Sequence, residues 1–341
     1  MTNQKKMYRT DLALDEVEHI ENQASESLYE ERQYNEITAY RLVVDNHLHE
    51  LIGKKKGIYY TIDLGKNNYH DYKESESIEK GVASVLKELL EEHNLIHKKC
   101  LVVGLGNDNV TPDALGPYVL DRIIVTRHLF TDQTVSNKYS EVSGITPGVM
   151  GNTGIETYDI IKSVVNSINV DYLIVVDALA SSSIMRINRT IQITDTGISP
   201  GSGVGNKRKE LSYETIGVPV IAIGVPTVVD FVTITTEVID LVLKYLSGSM
   251  GNNLKANFLS KEPIKNDLHL FESPSEEVKN YFLGEIGKLN DEERQALINQ
   301  AITDNGYNLM VTPKDVDMEI EDLSKIIAMS INMTLHETTN E

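Results

Sequence analysis

The stretch CLVVGLGNDNVTPDALGP, residues 100–117, decides the fold, because it opens with an unbroken apolar run and then turns at a glycine. Two further runs of this kind follow, YLIVV at residues 172–176 and VPVIAIGV at residues 218–225. Apolar side chains on consecutive residues are typical of strands that are buried on both faces, as in parallel sheets. Residues 189–193 predict one more strand.

Helical patterns lie between and around these strands. Residues 75–93 place apolar side chains on one face of a helix, with acidic side chains between them. The alternation of strands and helices predicts an α/β fold with a doubly wound sheet. The other expected elements are some helical tendency at 14–29, two edge strands within 38–64, and helices at 116–130, 154–168, 230–246, 275–283, 291–301 and 313–335.

Composition and charge exclude several classes of protein. The chain has 341 residues, of which 32 are basic and 51 acidic, with a formal net charge of −19. This excess of acids disfavours binding to the phosphates of nucleic acids. The longest apolar run, residues 218–229, contains two prolines and is shorter than the about 20 residues that span a bilayer.

The start of the chain and its cysteine content indicate a reducing compartment. The first residues, MTNQKKMYRTD, lack the apolar stretch of a secretory signal. The only cysteine, Cys100, excludes an internal disulfide and begins a predicted buried strand, so we expect it in the core rather than as a nucleophile. We therefore expect a cytoplasmic protein without membrane contacts.

Two acidic residues follow predicted strands at positions where chemistry is expected. Asp113 lies in the turn after the first strand, and Asp177 ends the second. Catalytic groups gather beyond the carboxyl ends of parallel strands, so these loops can bring two carboxylates together. Carboxyl groups that share a proton can act as general acid and general base on one water molecule. The alternative is a structural role for each acid, as a helix cap or as an acceptor for a loop amide.

Several segments partly match known functional motifs, but each lacks a residue or a context that the motif requires. The glycines after the first strand lack the third glycine of a dinucleotide fingerprint, because Asn109 stands there. The glycine-rich segment 201–207 lacks the Gly-Lys-Ser/Thr of a phosphate loop. The tripeptide Asp-Thr-Gly that begins at Asp195 matches all-β aspartic proteases, but it occurs once and in an α/β pattern. His93 and His97 share a helical spacing without a third metal ligand, and we expect them to be solvated or capping residues.

Several long strings of the sequence resemble the germination protease family of spore-forming bacteria. The resemblance extends from about Tyr8 to His336, although residues 251–267 match poorly. The strings that carry it are VGLGNDNVTPDALGP at 103–117, VTRHLF at 125–130, PGVMGNTGIET at 147–157, VVDALA at 175–180, TIQITDTGISPGSGVGNKRKELS at 190–212, GVPVIAIGVPTVVD at 217–230 and NLMVTPKDVD at 308–317.

The resemblance implies a fold, an activity and two catalytic residues. Members of the family are similar in fold to hydrogenase maturation endopeptidases, with a three-layer α/β/α sandwich. They are homotetramers that degrade the small acid-soluble proteins coating DNA in dormant spores, so the expected location is the spore core or forespore. Two aspartates are regarded as catalytic in an atypical aspartic mechanism, and they correspond to Asp113 and Asp177. The maturation endopeptidases bind a metal at the equivalent positions with the help of a histidine. No such histidine is evident in this sequence, so we expect no metal and no cofactor.

The resemblance also implies a zymogen that removes its own N-terminal segment. The family's substrates are cut after an acid and before a bulky apolar residue that is followed by alanine. TDLALD at residues 10–15 repeats this order, so the expected autoprocessing bond joins Asp11 to Leu12. We expect this segment to be an unpacked polar arm that can enter a protease cleft. The alternative is that Asp11 caps a helix beginning at Leu12.

Further residues are expected to line the site, and two other functions stay open. The candidates are Asn107, Asp195, Lys207 and Arg208, of which Lys207 or Arg208 could stabilise oxyanion charge. One alternative is a metal-dependent maturation peptidase on the same fold, and the other is a non-enzymatic α/β module whose loop 201–209 binds an anion. The expected organisation is a propeptide at 1–11, an N-terminal arm with edge strands and a helix at 12–98, an α/β catalytic core at 99–250, and a loop with a C-terminal helical extension at 251–341.

Overall fold

The fold is described from a computed structural model, which covers residues 10–21, 28–65, 69–130, 136, 138–201, 208–250, 276–304 and 309–336. The chain forms two compact units. The large unit holds residues 10–181 and 185–228 and the chain from residue 312 onward, and the small unit holds residues 182–184 and 229–311. No helix within the described residues is long and apolar enough to cross a membrane.

A mixed β-sheet forms the centre of the large unit, with the strand order β1-β2-β3-β7-β8-β6-β4-β5. The unbroken apolar runs form its middle, as predicted. The strands are β1 (Glu30–Tyr34), β2 (Ile37–Val44), β3 (Gly57–Asp63), β4 (Cys100–Gly104), β5 (Val142–Ile145), β6 (Tyr172–Ser181), β7 (Thr190–Thr194) and β8 (Val220–Asp230), and a short β9 (Met310–Val311) pairs with the end of β8.

The sheet is parallel in one part and antiparallel in the other. Strand β4 pairs in parallel with β5 and β6, whereas β1, β2, β3, β7 and β8 pair antiparallel in succession. The doubly wound pattern is therefore confirmed only around β4. Strand β7 reverses direction because only a short connection, with one 3-10 turn at Ile184–Arg186, separates it from β6, and a parallel crossover needs a dozen or more residues.

Helices cover both faces of the sheet, which confirms the α/β/α sandwich. The prediction of a single helix at 116–130 is wrong, because the chain turns between two short helices there. The region 38–64 holds the two expected strands, with a helix between them. The helices are α1 (Ala13–Glu21), α2 (Asn46–Ile52), α3 (Tyr72–Glu92), α4 (Leu115–Leu120), α5 (Arg127–Phe130), α6 (Met150–Thr153), α7 (Thr157–Ile168), α8 (Tyr213–Ile216), α9 (Phe231–Met250), α10 (Glu276–Leu283), α11 (Asp291–Thr303) and α12 (Val316–Leu335).

One face of the sheet, which we call the closed face, is predominantly apolar. Successive side chains on a strand point to opposite faces, so Ile191, Ile193, Ile221 and Ile223 share this face with Cys100. They pack against α3, α4 and α12 in the largest hydrophobic cluster. Helix α12, which the sequence analysis places in the C-terminal extension, is thus part of the large unit.

The opposite face, which we call the cleft face, carries two separate apolar clusters. The strand residues Leu101 and Leu173 pack under α7 and α8. Tyr59 and Leu42 pack under α1 and α2. Between the two clusters lies a cavity of about 210 Å³ that is lined by side chains of β3, β6, β7 and β8 and by the N-terminal segment.

The described residues of the small unit are mainly helical, apart from the pairing of β9 with the end of β8. Helices α10 and α11 pack against α9, and the 3-10 helix Gly284–Lys288 follows α10. Arg294 on α11 is buried and reaches Asp240 on α9 at 2.8 Å. The expected loop at 255–275 lies outside the described residues.

Candidate active site

The loop after β4 holds Asp113 against the sheet through close backbone contacts. A Cβ added to Gly104 would lie 2.3 Å from the carbonyl oxygen of Gly116, which is too close for any side chain. A Cβ added to Gly106 would lie 2.0 Å from the carbonyl oxygen of Asp113. Gly106 also has φ +111°, a conformation that L side chains rarely adopt. The loop therefore folds back onto the end of β4, which only glycine permits at these positions. The Thr227 hydroxyl fixes it further by donating to the carbonyl of Pro112 at 2.7 Å.

Asp177 lies on β6 where the neighbouring β4 ends. Gly104, the last residue of β4, pairs with Val176, and the Leu105 N–H donates to the Val176 carbonyl at 2.8 Å. The prediction that β6 ends at Asp177 is wrong, because the strand runs on to Ser181. Val175, two positions before Asp177 on β6, belongs to the cluster under α7 and α8. Residues two positions apart on a strand share a face, so the Asp177 side chain also points to the cleft face.

Both carboxyl groups have raised pKa values at this point. Burial raises the pKa of Asp113 to about 6, although the Asn107 backbone N–H opposes the shift. Burial raises the pKa of Asp177 well above its usual range, and the charges of Asp113 and Asp11 raise it further. Asp177 is only 5% exposed. Both shifts favour the protonated carboxyl, so the pair can retain a proton at a pH where free aspartates are ionised.

The N-terminal segment, which the sequence analysis treats as an unpacked arm, is packed against the cleft face. Leu12 and Ala13 are fully buried, so the prediction of an unpacked arm is wrong for the described residues. The Asp11 N–H donates to the Ala180 carbonyl at 2.9 Å, and the Ala180 N–H donates to the Asp11 carboxylate at 2.9 Å. Because Ala180 follows Asp177 by three residues on β6, the expected autoprocessing bond lies in the neighbourhood of the two acids.

Side chains that sequence reasoning missed hold this segment in place. Gln192 on β7 donates to the Asp11 carbonyl at 3.3 Å and accepts from the Ala13 N–H at 2.8 Å. The Lys54 ammonium donates to the Thr10 carbonyl at 3.1 Å. The sequence does contain one signal, because β7 reads TIQIT and its alternation places Gln192 on the opposite face from Ile191 and Ile193.

Helix α1 anchors the other end of the segment. The buried Asp15 carboxylate accepts from the Thr10 hydroxyl at 2.6 Å and from the Ser181 hydroxyl at 3.2 Å, and it pairs with Arg186 at 2.8 Å. The alternative in which a helix begins at Leu12 is close to the observed start at Ala13. The Asp11 carboxylate, however, accepts from the sheet at Ala180.

Comparison with known proteins identifies the family of this chain. A family model described as germination protease matches residues 3–341. The germination protease of Bacillus cereus strain AH187 is 46% identical over 344 residues, a match that covers 96% of this chain and 93% of that protein. The germination protease of Bacillus cytotoxicus is 45% identical with the same coverage. The chain belongs to the germination protease family. It is therefore a peptidase by family.

A solved structure is also similar to this germination protease family member, though weakly. It is a NiFe hydrogenase maturation protease from Thermococcus kodakarensis, with 15% identity and a TM-score of 0.30, covering 72% of this chain and 98% of that one. At this degree of overlap the likeness carries no argument about the chain, and the α/β/α sandwich rests on the observed layers themselves.

The remaining predicted site residues of this family member lie in different surroundings. Asn107 is part of the Asp113 loop, where its N–H donates to the Asp113 carbonyl at 3.0 Å. Asp195 follows β7 and accepts from the Ile58 N–H at 2.7 Å, and it pairs with His93 at 2.8 Å. Because β7 runs antiparallel to β8, Asp195 stands at the opposite end of the strands from the Asp113 loop. His93 caps the C-terminal end of α3, as expected.

The glycine-rich loop is only partly described. Lys207 lies outside the described residues. Arg208 lies 3.8 Å from Glu156, which precedes α7. Nothing described connects Arg208 to the acidic pair, so its role as an oxyanion-stabilising group stays a prediction.

The described residues contain neither an exposed cysteine nor a cluster of metal-binding side chains. Cys100 is fully buried, and burial raises the pKa of its thiol to about 12, which confirms the prediction of a core residue. Among the described residues there is no group of three or more histidine, cysteine, aspartate or glutamate side chains arranged to hold a metal ion.

Proposed function

We propose that this peptidase is an endopeptidase of atypical aspartic type, with Asp113 and Asp177 as its acid–base pair. The observation that carries the proposal is that burial raises the pKa of both carboxyl groups at the end of β4, and that the charge of Asp113 adds to the shift of Asp177. A pair of carboxyl groups that shares one proton is the device that lets aspartic proteases act on a water molecule without a covalent intermediate.

In this proposal each member of the pair has its own role. Asp113, as carboxylate, takes a proton from a water molecule whose oxygen attacks the carbonyl carbon of the scissile bond, while Asp177 donates its proton to the carbonyl oxygen. In the collapse of the tetrahedral intermediate, Asp113 returns its proton to the leaving nitrogen and the C–N bond breaks. The hydroxyl proton of the intermediate returns to Asp177 as the carbonyl of the product re-forms. The pair ends in its starting state.

The substrates we propose are the small acid-soluble proteins of spores, together with the chain's own N-terminal segment. Family membership supports the first, which the resemblance implies. The second is supported by the position of Asp11, whose charge acts on Asp177 and whose main chain is bonded to β6. In this proposal the chain is a zymogen of the forespore or spore core, assembles as a homotetramer, and processes itself between Asp11 and Leu12.

The test is cleavage of a purified small acid-soluble spore protein by the full chain and by its Asp113→Asn and Asp177→Asn variants. Asparagine keeps the shape of aspartate but cannot carry the proton, so both variants should lose cleavage while keeping the far-ultraviolet circular dichroism of the parent. Asp108→Asn is the matched control, because Asp108 is an exposed acid in the same loop. Activity within about tenfold of the parent in either pair variant would contradict the assignment.

The two alternatives give different results in the same assay. A metal-dependent maturation peptidase would lose activity with excess chelator and regain it with zinc, whereas the aspartic pair should be insensitive. An anion-binding module would cleave nothing. N-terminal sequencing of the processed chain tests the second substrate, and a start at Leu12 is expected.

A further inference from the structure

We infer that Gln192 is a substrate-binding residue, one that holds the main chain of a peptide on both sides of the bond to be cut. The inference rests on the proposed function, because it takes the chain's own residues 10–13, which lead into the first residue of α1, as a bound substrate segment. It concerns a residue on β7 that belongs to neither acid's loop.

The contact geometry carries the inference. The Gln192 amide nitrogen donates to the carbonyl of Asp11, which is the carbonyl of the proposed scissile bond, at 3.3 Å. Its amide oxygen accepts from the N–H of Ala13 at 2.8 Å. The carboxamide therefore spans the Asp11–Leu12 bond, with one hydrogen bond before it and one after it.

This pattern is the one that a parallel β-strand offers to its neighbour. A residue in a parallel strand donates to the carbonyl of one neighbour residue and accepts from the N–H two positions further along. The carboxamide of Gln192 supplies the same donor and acceptor from a side chain. Main-chain contacts of this kind bind any extended peptide, which leaves sequence preference to the pockets that hold its side chains.

The surroundings of Gln192 indicate that its polarity serves this purpose. Gln192 is only 6% exposed and lies on a strand whose adjacent residues Ile191 and Ile193 are fully buried. A buried amide is costly unless its donor and acceptor are satisfied, and here main-chain groups of the N-terminal segment satisfy both. If the segment leaves after cleavage, the same donor and acceptor face the cavity of about 210 Å³ that Gln192 lines.

The position of the donor also suggests a contribution beyond binding. A hydrogen bond to the scissile carbonyl strengthens as negative charge develops on its oxygen, and loss of one such donor typically costs about 100-fold to 1,000-fold in rate. Asp177 and Gln192 both point to the cleft face, so in this inference they act on one carbonyl. The other main-chain contacts of the segment, at Ala180 and Lys54, would hold the residues before the bond.

A double-mutant cycle tests the inference. The substrate is a synthetic peptide of residues 6–18, made in its native form and with an N-methyl group on the nitrogen of the residue corresponding to Ala13, which removes the N–H that Gln192 accepts. The full chain, its Gln192→Ala variant and the control Gln33→Ala are compared by kcat/KM. Gln33 is an exposed glutamine on β1 that bonds to Thr38.

We expect Gln192→Ala to lower kcat/KM for the native peptide by at least about tenfold, with the Gln33→Ala variant unchanged. N-methylation should cost about tenfold in the parent and little in Gln192→Ala, since the two changes remove the same hydrogen bond. Gln192→Glu keeps the acceptor but turns an oxygen toward the scissile carbonyl, so it should lose more activity than Gln192→Ala. Equal N-methylation penalties in parent and Gln192→Ala would overturn the inference.

Amide hydrogen exchange separates this inference from the proposed function, because it needs no cleavage. In full-length Asp113→Asn protein, added Gln192→Ala should speed exchange at the amide of Ala13 by at least about tenfold, without changing exchange in β6. An unchanged rate at Ala13 would overturn the inference even if the peptide is cut. If the parent cuts no peptide at all, the proposed function fails, and the exchange rate alone decides whether Gln192 holds the main chain.

Discussion

The two faces of the central sheet differ in chemistry, although the same strands build both. Ile191 and Ile193 on β7 point to the closed face and lie in an apolar core beneath α3 and α12. Gln192 between them points to the cleft face, where it contacts the N-terminal segment. Asp177 occupies the same face of β6. Because successive side chains on a strand point to opposite faces, the residues that stabilise the sheet lie on one face and those proposed to bind and cut the peptide lie on the other.

Ile193→Ala should have the largest effect among changes that distinguish the faces. Removing a fully buried isoleucine side chain leaves a cavity in the closed-face core, so we expect a loss of about 2–5 kcal/mol in the free energy of unfolding. Because Ile193 points away from the cleft, kcat/KM per folded molecule should be unchanged. Urea unfolding and peptide cleavage measure the two quantities. Ile193→Val, expected to cost about 0.5–1.5 kcal/mol, is the matched control. A loss of activity in folded Ile193→Ala protein would show that the faces are not independent.

Asp113→Asn should instead stabilise the protein at neutral pH. The folded-state pKa of Asp113 is raised from 3.8 to about 6, because the folded protein favours the protonated carboxyl. The stability that comes from this protonation is complete below about pH 4, and it is lost as the pH rises through about 6. A shift of 6 − 3.8 = 2.2 units corresponds to roughly 3 kcal/mol at most. The variant should equal the parent near pH 4 and exceed it by up to that amount at pH 7.5, in urea unfolding. Asp108→Asn should show no such pH-dependent gain, and an equal gain there would remove the support for a buried carboxyl at 113.

Cleavage should weaken as the pH falls through about 6. The proposed base, Asp113, must be ionised, and its pKa is raised to about 6 by burial. Below that pH, kcat/KM should fall about tenfold for each pH unit, as expected for one essential base. The measurement is the pH profile of peptide cleavage by folded protein. A profile that stays flat down to pH 4.5 would contradict the role given to Asp113.

Asp195→Ala should have the smallest effect, and on stability only. It removes the acceptor of the Ile58 N–H and the partner of the half-exposed His93, so we expect a loss of about 1–2 kcal/mol in the free energy of unfolding. Since Asp195 stands at the far end of the strands from the Asp113 loop, kcat/KM should stay within about threefold of the parent. Asp195→Asn, which keeps an acceptor for Ile58, should lose less stability. A hundredfold loss of activity in the alanine variant would restore Asp195 to the site.

Local sequence patterns predicted most of the elements but not all of their directions. The unbroken apolar runs gave β4, β6 and β8, because a strand buried on both faces needs apolar residues at every position. The apolar spacing of α3 was equally clear. The antiparallel direction of β7 and the break between α4 and α5 were missed, since both depend on how the chain packs rather than on its local pattern.

The sequence by itself determined the α/β class and the family resemblance and indicated the two candidate acids, because each of these follows from residues close together in the chain. Only the tertiary structure decided that Asp11 lies beside Ala180 and that Gln192 bonds to the main chain of residues 11 and 13. These partners are about 170 to 180 positions apart, and no local pattern specifies which strands become neighbours. These contacts depend on the burial of Leu12 and Ala13 against the cleft face. The free energy of that burial is available only when the whole sheet has formed.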